Sequence, residues 1–317
     1  MSGIKSKDIV SEIARMKKEK NAIILAHYYQ TGDIQDIADF VGDSLALAQK
    51  AEANNSDIIL FAGVKFMAET AKILSPDKKV LIPDLNAGCS LADSCKAKDF
   101  KKFIKENPGR TVITYVNTTA EIKALSDITC TSSNAVEIVN SLPADEKIIF
   151  APDRNLGNHI INKTGRDIVV WNGTCHVHED FSLEAIIKLK EKNMDAKVIV
   201  HPECELPVRM VADFIGSTSA LLHFTKKDTS KCYIVATEPG IIHQMRKANP
   251  QKTYLPVPPR DSTCGCSECN FMKLITLEKI YNCMKTEKPE IHVSSKIITE
   301  AQKPIKRMLE ITRKLGL

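Results

Sequence analysis

The sequence has 317 residues, of which 43% are hydrophobic, and its 44 basic and 39 acidic side chains give a formal net charge of +5. A charge this small, with no clustered basic face, argues against a nucleic-acid-binding protein. No apolar run approaches the roughly 18 residues of a membrane span, and the first twenty residues do not have the pattern of a secretory signal. We therefore expect a cytoplasmic protein with no membrane or nucleic-acid partner.

The first stretch of the chain alternates helix-like and strand-like segments. A helix is predicted over 5–20, where Ile9, Ile13 and Met16 recur at helical spacing. Short apolar runs predict buried strands, and the segments between them predict helices. The predicted elements that follow are strand 22–26, helices 34–41 and 44–53, strand 57–61, helix 66–74 and strand 80–82.

The next two stretches repeat this order, and alternation of this kind predicts parallel sheets with right-handed crossovers. The second stretch contains strand 111–114, helix 119–125, a short strand or turn at 127–128, helix 134–141, strand 148–150, helix 156–162, strand 168–171 and a linking helix 182–192. The third contains strand 197–200, helix 206–214, strands 219–224 and 232–236, helix 240–247 and strand 254–256. Two further helices are predicted at 272–284 and 294–315.

Polar residues recur at matching offsets in these three stretches. His27, Tyr115 and His201 each follow the first predicted strand, at intervals of 88 and 86 residues. The same intervals separate Tyr29, Asn117 and Glu203, and also Ser44, Ser132 and Thr218. The repeat has the size of a small α/β domain. We predict three αβα domains over 1–88, 89–175 and 176–271, related by a pseudo-threefold axis, with the C-terminal helices 272–317 packed on the first.

These nine polar residues predict one shared site, because ligands of parallel sheets bind beyond the carboxyl ends of the strands. Hydroxyl groups at helix starts bind anions, so the Ser and Thr positions favour a ligand with several carboxylates or phosphates. Glu203 is the only carboxylate of the first-strand set and is the natural general base, with burial expected to raise its pKa towards neutrality. Tyr29 is a candidate proton relay, and His27 and His201 can bind anions or move protons.

The ten cysteines are expected to be reduced in the cytoplasm. Cys89 follows the third strand of the first copy, and Cys175 follows the third strand of the second copy, 86 residues later. At the corresponding end of the third copy lie Cys264, Cys266 and Cys269. Three thiolates from three domains could hold a zinc ion or an iron–sulfur cluster. A local zinc or redox site made by the last three cysteines alone remains an alternative.

Five segments of the chain resemble the quinolinate synthase family. They are AHYYQ at 26–30, VGDS at 41–44, YVNT at 115–118, HPEC at 201–204 and CNFM at 269–272. The likeness extends over residues 20–285. It implies a pseudo-threefold triangle of αβα domains and a [4Fe–4S] cluster held by Cys89, Cys175 and Cys269, with one iron that has no cysteine ligand.

The resemblance also implies a reaction. Iminosuccinate (iminoaspartate) and dihydroxyacetone phosphate would condense to quinolinate, phosphate and water in NAD biosynthesis, which implies a functional link to the enzyme that supplies iminosuccinate. Tyr29, Glu203 and His201 are the implied catalytic residues. The implied substrate-binding residues are His27, Ser44, Tyr115, Val116, Asn117, Ser132, His201, Pro202, Glu203 and Thr218.

The third cysteine departs from the spacing of the repeat. Cys175 and Cys269 are 94 residues apart, so the choice of Cys269 rests on the resemblance. Some family members have Cys-x-x-Cys-x-x-Cys here, and this chain has Cys264-x-Cys266-x-x-Cys269, which leaves any redox role of the first two thiols open. A zinc-dependent lyase or hydrolase that uses the same three cysteines is the alternative function. A non-catalytic sensor is less favoured, because no partner-docking segment is recognisable.

Overall fold

Three four-stranded parallel sheets, one in each repeat, form the framework of the protein. The structure is a computed structural model that describes residues 6–260 and 267–317. Each sheet places its strands in the same spatial order, 2-1-3-4 in chain numbering within the repeat. The predicted α/β fold with three αβα units is thereby confirmed.

Each repeat begins with a helix that precedes its central strand. The first repeat contains α1 (Ser6–Glu19), β1 (Ala22–His27), α2 (Gly32–Ile37), β2 (Phe40–Gly42), α3 (Ser44–Ala53), β3 (Ile58–Ala62), α4 (Lys65–Leu74) and β4 (Lys79–Leu81). The second contains α5 (Ser90–Asp93), α6 (Ala97–Glu106), β5 (Thr111–Tyr115), α7 (Ala120–Lys123), β6 (Ile128–Cys130), α8 (Ala135–Asn140), β7 (Ile148–Ala151), α9 (Arg154–Thr164) and β8 (Ile168–Val170).

The third repeat follows the same plan and leads into a helical tail. It contains α10 (His176–Glu179), α11 (Leu183–Lys192), β9 (Lys197–Val200), α12 (Leu206–Met210), β10 (Phe214–Ile215), α13 (Thr218–Lys227), β11 (Cys232–Ala236), α14 (Ile241–Ala248) and β12 (Thr253–Pro256). The tail contains α15 (Asn270–Lys273), α16 (Leu277–Thr286) and α17 (Ser295–Lys314).

One aspartate at the same offset in each repeat holds the central strand. Oδ2 of Asp39, Asp127 and Asp213 accepts a hydrogen bond from a backbone N–H near the start of that strand. The donors are, in turn, Ile24, Val112 and Val198, at 2.8, 2.8 and 2.7 Å. These three repeat positions are therefore structural, because their carboxylates pair with the backbone at the opposite end of the strand from His27, Tyr115 and His201.

The predicted strand 219–224 is wrong, because these residues belong to helix α13. The side chain of Ser217 caps this helix by accepting a hydrogen bond from the backbone N–H of Ala220 at 3.2 Å. Leu221, Leu222 and Thr225 are buried at helical spacing. The apolar run that suggested a strand is the buried face of the helix.

Two predicted helices end earlier than expected. The segments predicted over 34–41 and 206–214 stop at Ile37 and Met210, and the chain then forms β2 and β10. These short strands pair in parallel with β1 and β9, so backbone pairing with the central strand outweighs the helical pattern there. Helix α6 was not predicted, although its Phe100 is fully buried.

The tail packs on two repeats. Helix α16 lies against α1, while α17 packs against α7 and β6 of the second repeat and against α4 of the first. The sequence predicts that the tail packs on the first repeat alone. Among the described residues, no helix combines the length and apolar character that crossing a membrane requires.

Candidate active site and metal centre

The carboxyl ends of the three sheets surround a cavity. His27 ends β1, Tyr115 ends β5, and His201 directly follows β9. The strand ends therefore bring together residues that are far apart in the sequence. The predicted residues that line the cavity are His27, Tyr29, Ser44, Cys89, Tyr115, Asn117, Ser132, Cys175, His201, Glu203, Thr218 and Cys269.

Val116 and Pro202 are not among the residues that line this cavity. Val116 lies in the hydrophobic core, where its N–H donates to the Cys130 carbonyl at 2.9 Å, and Pro202 is buried. The residues on either side of each line the cavity, Tyr115 and Asn117 beside Val116 and His201 and Glu203 beside Pro202.

His27 and His201 have the same orientation in their repeats. Nδ1 of His27 accepts a hydrogen bond from the backbone N–H of Tyr29 at 3.2 Å, and Nδ1 of His201 accepts one from Glu203 at 3.3 Å. In each neutral ring the proton is then on Nε2, which in His201 lies 3.2 Å from Oγ of Ser132. Burial lowers the pKa of His27 to about 4 and that of His201 to about 3, so both are neutral donors near pH 7.

A continuous chain of hydrogen-bond contacts connects Tyr29 with Glu203. The Tyr29 hydroxyl lies 3.0 Å from Oγ1 of Thr237, which lies 3.0 Å from Nε2 of His178. Nδ1 of His178 lies 2.6 Å from Oε2 of Glu203. The hydroxyl and imidazole groups of this chain can both donate and accept a proton, and the carboxylate can accept one. The chain of contacts can therefore transfer protons along the cavity wall.

The pKa of Glu203 differs from the sequence-based expectation. Burial raises the pKa of this carboxyl, but the nearby His178, together with His201 and the Tyr115 hydroxyl, brings the net pKa below its ordinary value. The expected rise towards neutrality is therefore wrong, and Glu203 is a carboxylate paired with an imidazole. Its other oxygen, Oε1, is buried and has no hydrogen-bond partner among the described residues.

His178 and Thr237 belong to this chain of contacts and were not predicted. His178 stands three residues after Cys175, a Cys-x-x-His spacing that places both side chains on one turn. Thr237 directly follows β11, so it obeys the same strand-end rule as His27. Asp43 was also missed, and its Oδ2 accepts a hydrogen bond from Oγ of Ser133 at 2.7 Å across the first two repeats.

The three cavity cysteines occupy one structural position. Cys89, Cys175 and Cys269 are the N-cap residues of the short helices α5, α10 and α15. Cys269 is thereby equivalent to the other two, although its interval in the sequence is longer. Cys264 and Cys266 lie outside the described residues.

Burial raises the pKa of all three thiols, that of Cys89 to about 12. The thiolates of Cys89 and Cys269 also disfavour one another, as do those of Cys175 and Cys89. Buried thiols of this kind ionise when a cationic centre binds them. The donor set therefore fits a thiolate-bound metal or iron–sulfur group.

Two buried carboxylates hold the backbone of these cysteines. Oδ2 of Asp153 accepts a hydrogen bond from the N–H of Cys175 at 3.2 Å, and Oε1 of Glu238 accepts one from Cys269 at 3.4 Å. Glu238 also pairs with Lys273 at 2.8 Å. The loops that carry the thiols are thus fixed by the protein itself.

A second group of donors overlaps the cysteines. Ligand atoms of Cys175, His178 and Glu203 lie within 4.8 Å of one another, a set that could hold a metal ion. Nδ1 of His178 contacts both other members of this group, Cys175 Sγ at 3.3 Å and Glu203 Oε2 at 2.6 Å, and Nε2 lies 3.0 Å from Oγ1 of Thr237. The same imidazole can therefore move protons along the chain of contacts or share a metal ion with Cys175 and Glu203.

Comparison with known proteins agrees with the geometry of this site. The family model described as NadA, Quinolinate synthetase A protein, matches residues 11–310. The chain is 57% identical over 305 residues to a quinolinate synthase from Microcystis aeruginosa, covering 96% of this chain and 95% of the relative. It is 56% identical over 306 residues to one from Synechocystis sp., covering 96% of each. The chain therefore belongs to the quinolinate synthetase A protein family.

Proposed function

We propose that the protein catalyses, in this cavity, the condensation of iminosuccinate with dihydroxyacetone phosphate to quinolinate, with release of one phosphate and two water molecules. The proposal rests on family membership and on one observation. A Tyr–Thr–His–Glu chain of contacts enters the same cavity as three equivalent cysteines. The reaction needs repeated removal of protons from carbon and loss of hydroxyl groups, which such a chain can serve.

Glu203 takes protons from substrate carbon in this proposal. Its Oε1 is buried in the cavity wall without a partner in the part of the chain that the structure describes, and Oε2 contacts His178 at 2.6 Å. A carboxylate of low pKa is a weak base by itself, and the imidazole shares the proton that it accepts. The pair therefore acts as one base.

Tyr29 donates the proton to the leaving hydroxyl. Burial raises the pKa of its phenol well above the ordinary value, so the group stays protonated and is a donor. Thr218 and Thr237 contact its oxygen at 2.9 and 3.0 Å, which fixes the direction of the O–H. Thr237 returns a proton to Tyr29 from His178 after each elimination.

Hydroxyl groups and neutral imidazoles bind the anionic groups of the substrates. Ser44 and Thr218 are the first residues of α3 and α13, where free N–H groups also attract anions. Ser132 lines the cavity beside His201. These groups hold the carboxylates of iminosuccinate and the phosphate of the second substrate. The apolar wall formed by Phe66, Phe271 and their neighbours limits water near the reacting atoms.

We propose Cys89, Cys175 and Cys269 as ligands of a [4Fe–4S] cluster with one iron that has no cysteine ligand. When bound, this group supplies a Lewis-acidic iron that polarises a substrate oxygen. The buried, mutually unfavourable thiolates support the assignment, because a cationic centre compensates their charge. The enzyme that supplies iminosuccinate is the proposed functional partner.

An anaerobic iron and sulfide determination combined with a turnover assay tests this function. We expect about four iron and four sulfide ions per chain and formation of quinolinate from both substrates. A colourless protein that holds zinc and forms quinolinate would disprove the cluster. Absence of turnover in the iron-loaded protein would disprove the reaction.

A zinc-dependent lyase or hydrolase is the second candidate. The Cys175–His178–Glu203 group supports it, because thiolate, imidazole and carboxylate are common zinc ligands. Replacement of His178 with Gln tests whether this group holds a metal, whereas the metal analysis described above separates the cluster from a zinc ion held by the same three cysteines. Zinc binding should fall if His178 is a ligand, whereas the iron content should be unchanged if the cysteines alone hold the metal.

A further inference from the structure

Lys123 is a fully buried lysine that contacts the backbone on both sides of Asn117. It ends the short helix α7, and its side chain is 0% exposed. Its Nζ donates to the carbonyl of Val116 at 2.8 Å and to the carbonyl of Thr118. The two carbonyls flank Asn117, so one ammonium group fixes the backbone around this residue.

The surroundings of Lys123 suggest a role other than stability. Among the described residues, no carboxylate forms an ion pair with its Nζ, and Glu69 and the Cys89 thiol act on it only at longer range. The ammonium lies 5.4 Å from the ring centre of Phe66, a residue of the cavity wall. Burial of an ammonium without a carboxylate partner is costly. The charge is therefore better explained by what it holds in place.

Asn117, the residue between these two carbonyls, has a side chain that is available to a ligand. Asn117 lines the cavity, and its Oδ1 is buried without a hydrogen-bond partner among the described residues. The hydroxyl of Thr118 donates to the Tyr115 carbonyl at 3.1 Å, which tightens the same turn. The carbonyls of Tyr115, Val116 and Thr118 are thus engaged, whereas the side-chain oxygen of Asn117 is available to a donor.

We propose that Lys123 is a positioning residue that fixes Asn117 so that its side-chain oxygen accepts a hydrogen bond from a substrate in the cavity, either from the imine N–H of iminosuccinate or from the hydroxyl group of dihydroxyacetone phosphate. The inference rests on the proposed function and adds a residue that does not touch the ligand. It requires that the effect of Lys123 on ligand binding passes through Asn117.

Lys252, a partly buried lysine of the third repeat, provides a control for the loss of a similar set of contacts. Its Nζ also donates to two backbone carbonyls, those of Thr225 and Asp228, each at 2.6 Å. It likewise lies 5.4 Å from an aromatic ring centre, that of Tyr233. Lys252 does not line the cavity, so its replacement tests the loss of a similar lysine without the link to Asn117.

A double-mutant cycle tests the proposal. Lys123→Met, Lys252→Met, Asn117→Ala and the double variant Lys123→Met/Asn117→Ala are compared by kcat, by KM for both substrates and by calorimetric titration with quinolinate. We expect Lys123→Met to lower kcat/KM by about tenfold or more and to change the affinity for quinolinate by less than about twofold, because the quinolinate dianion has no hydrogen-bond donor for the Asn117 oxygen. Lys123→Met should have no further effect in the Asn117→Ala background. Lys252→Met should stay within about twofold of the parent protein, and all variants should keep the parent iron content.

Other outcomes overturn the proposal. Additive losses in the double variant would show that Lys123 acts on another part of the cavity, and an equal loss in Lys252→Met would show a general effect on the fold. If Lys123→Met does not fold, Lys123→Gln retains a neutral donor and replaces it in the cycle. Failure of both to fold would make Lys123 a requirement of the fold only. If the parent protein neither forms nor binds quinolinate, the proposed function fails instead.

Discussion

Nδ1 of His178 lies 2.6 Å from Oε2 of Glu203, and both side chains are almost completely buried. His178 belongs to α10 and Glu203 follows β9, so the contact depends on how α10 packs beside the third sheet. Burial disfavours the carboxylate and the imidazole counteracts it, which is why the pKa of Glu203 falls rather than rises. The basic group of the cavity is therefore the pair and not the carboxyl alone.

Thr237→Val should interrupt proton transfer between Tyr29 and His178. The change keeps the shape of the side chain and removes the hydroxyl that contacts both groups at 3.0 Å. We expect kcat to fall by about a hundredfold, as for loss of a general acid–base link, with little change in KM. Steady-state kinetics measures the effect, and an unchanged kcat would remove Thr237 from the mechanism. Thr225→Val is the control, because Thr225 is as deeply buried as Thr237 and does not line the cavity.

Replacement of Cys89, Cys175 or Cys269 with Ser should each abolish cluster binding to a similar extent. The three residues hold the same N-cap position in their repeats, so none of them is a spare ligand. Iron and sulfide content and the visible absorbance of anaerobically purified variants measure the loss. Cys232→Ser is the control, because Cys232 begins β11 at the opposite end of its strand from the cavity. A Cys269 variant with a full cluster would contradict the assignment of the third ligand.

Substitutions at Asp127 and Ser132 should distinguish repeat positions that stabilise the fold from repeat positions that bind substrate. Asp127→Ala removes the acceptor for the N–H of Val112, and we expect a loss of about 1 kcal/mol in the free energy of unfolding. Iron content and KM should not change. Ser132→Ala should raise KM and leave stability unchanged, since its hydroxyl faces the cavity beside His201. Urea unfolding and steady-state kinetics check both, and the reverse pattern would contradict the division.

The stability contributed by Lys123 should depend on pH in the alkaline range. Burial lowers its pKa to about 8, whereas the unfolded chain keeps the ordinary value of 10.5. Between these values the unfolded state binds more protons, so the unfolding free energy of the parent protein rises with pH relative to that of Lys123→Met. The difference should grow by about 3 kcal/mol at most and be constant below pH 8. Denaturant unfolding of both proteins at several pH values measures it, and a flat difference would contradict the buried charge.

The sequence predicted most of the site because the repeat and the strand-end rule act together. Residues such as His27 and His201 lie where the central strands end, and this placement follows from the parallel sheet alone. Spacing could not choose Cys269, because the third repeat is longer between its last strand and its cysteine. The structure supplies the criterion that was missing, which is the start of a short helix.

Other parts could not be read from the sequence for physical reasons. The run at 219–224 is apolar enough for a strand, and only the cap by Ser217 and the packing of Leu221 make it helical. Thr237 gains its role from the positions of Tyr29 and His178, which approach it from other parts of the chain. Contacts of this kind depend on tertiary packing and have no local pattern.

The matching turns after the three central strands carry three different side chains: a phenol at Tyr29, an amide at Asn117 and a carboxylate at Glu203. A backbone of nearly threefold symmetry thus surrounds a chamber whose chemistry has no symmetry. Such an arrangement can distinguish the two ends of a small molecule by chemical character alone, without a difference in shape between the walls. Exchange of the side chains among these turns would therefore preserve the fold and scramble the orientation in which a ligand binds.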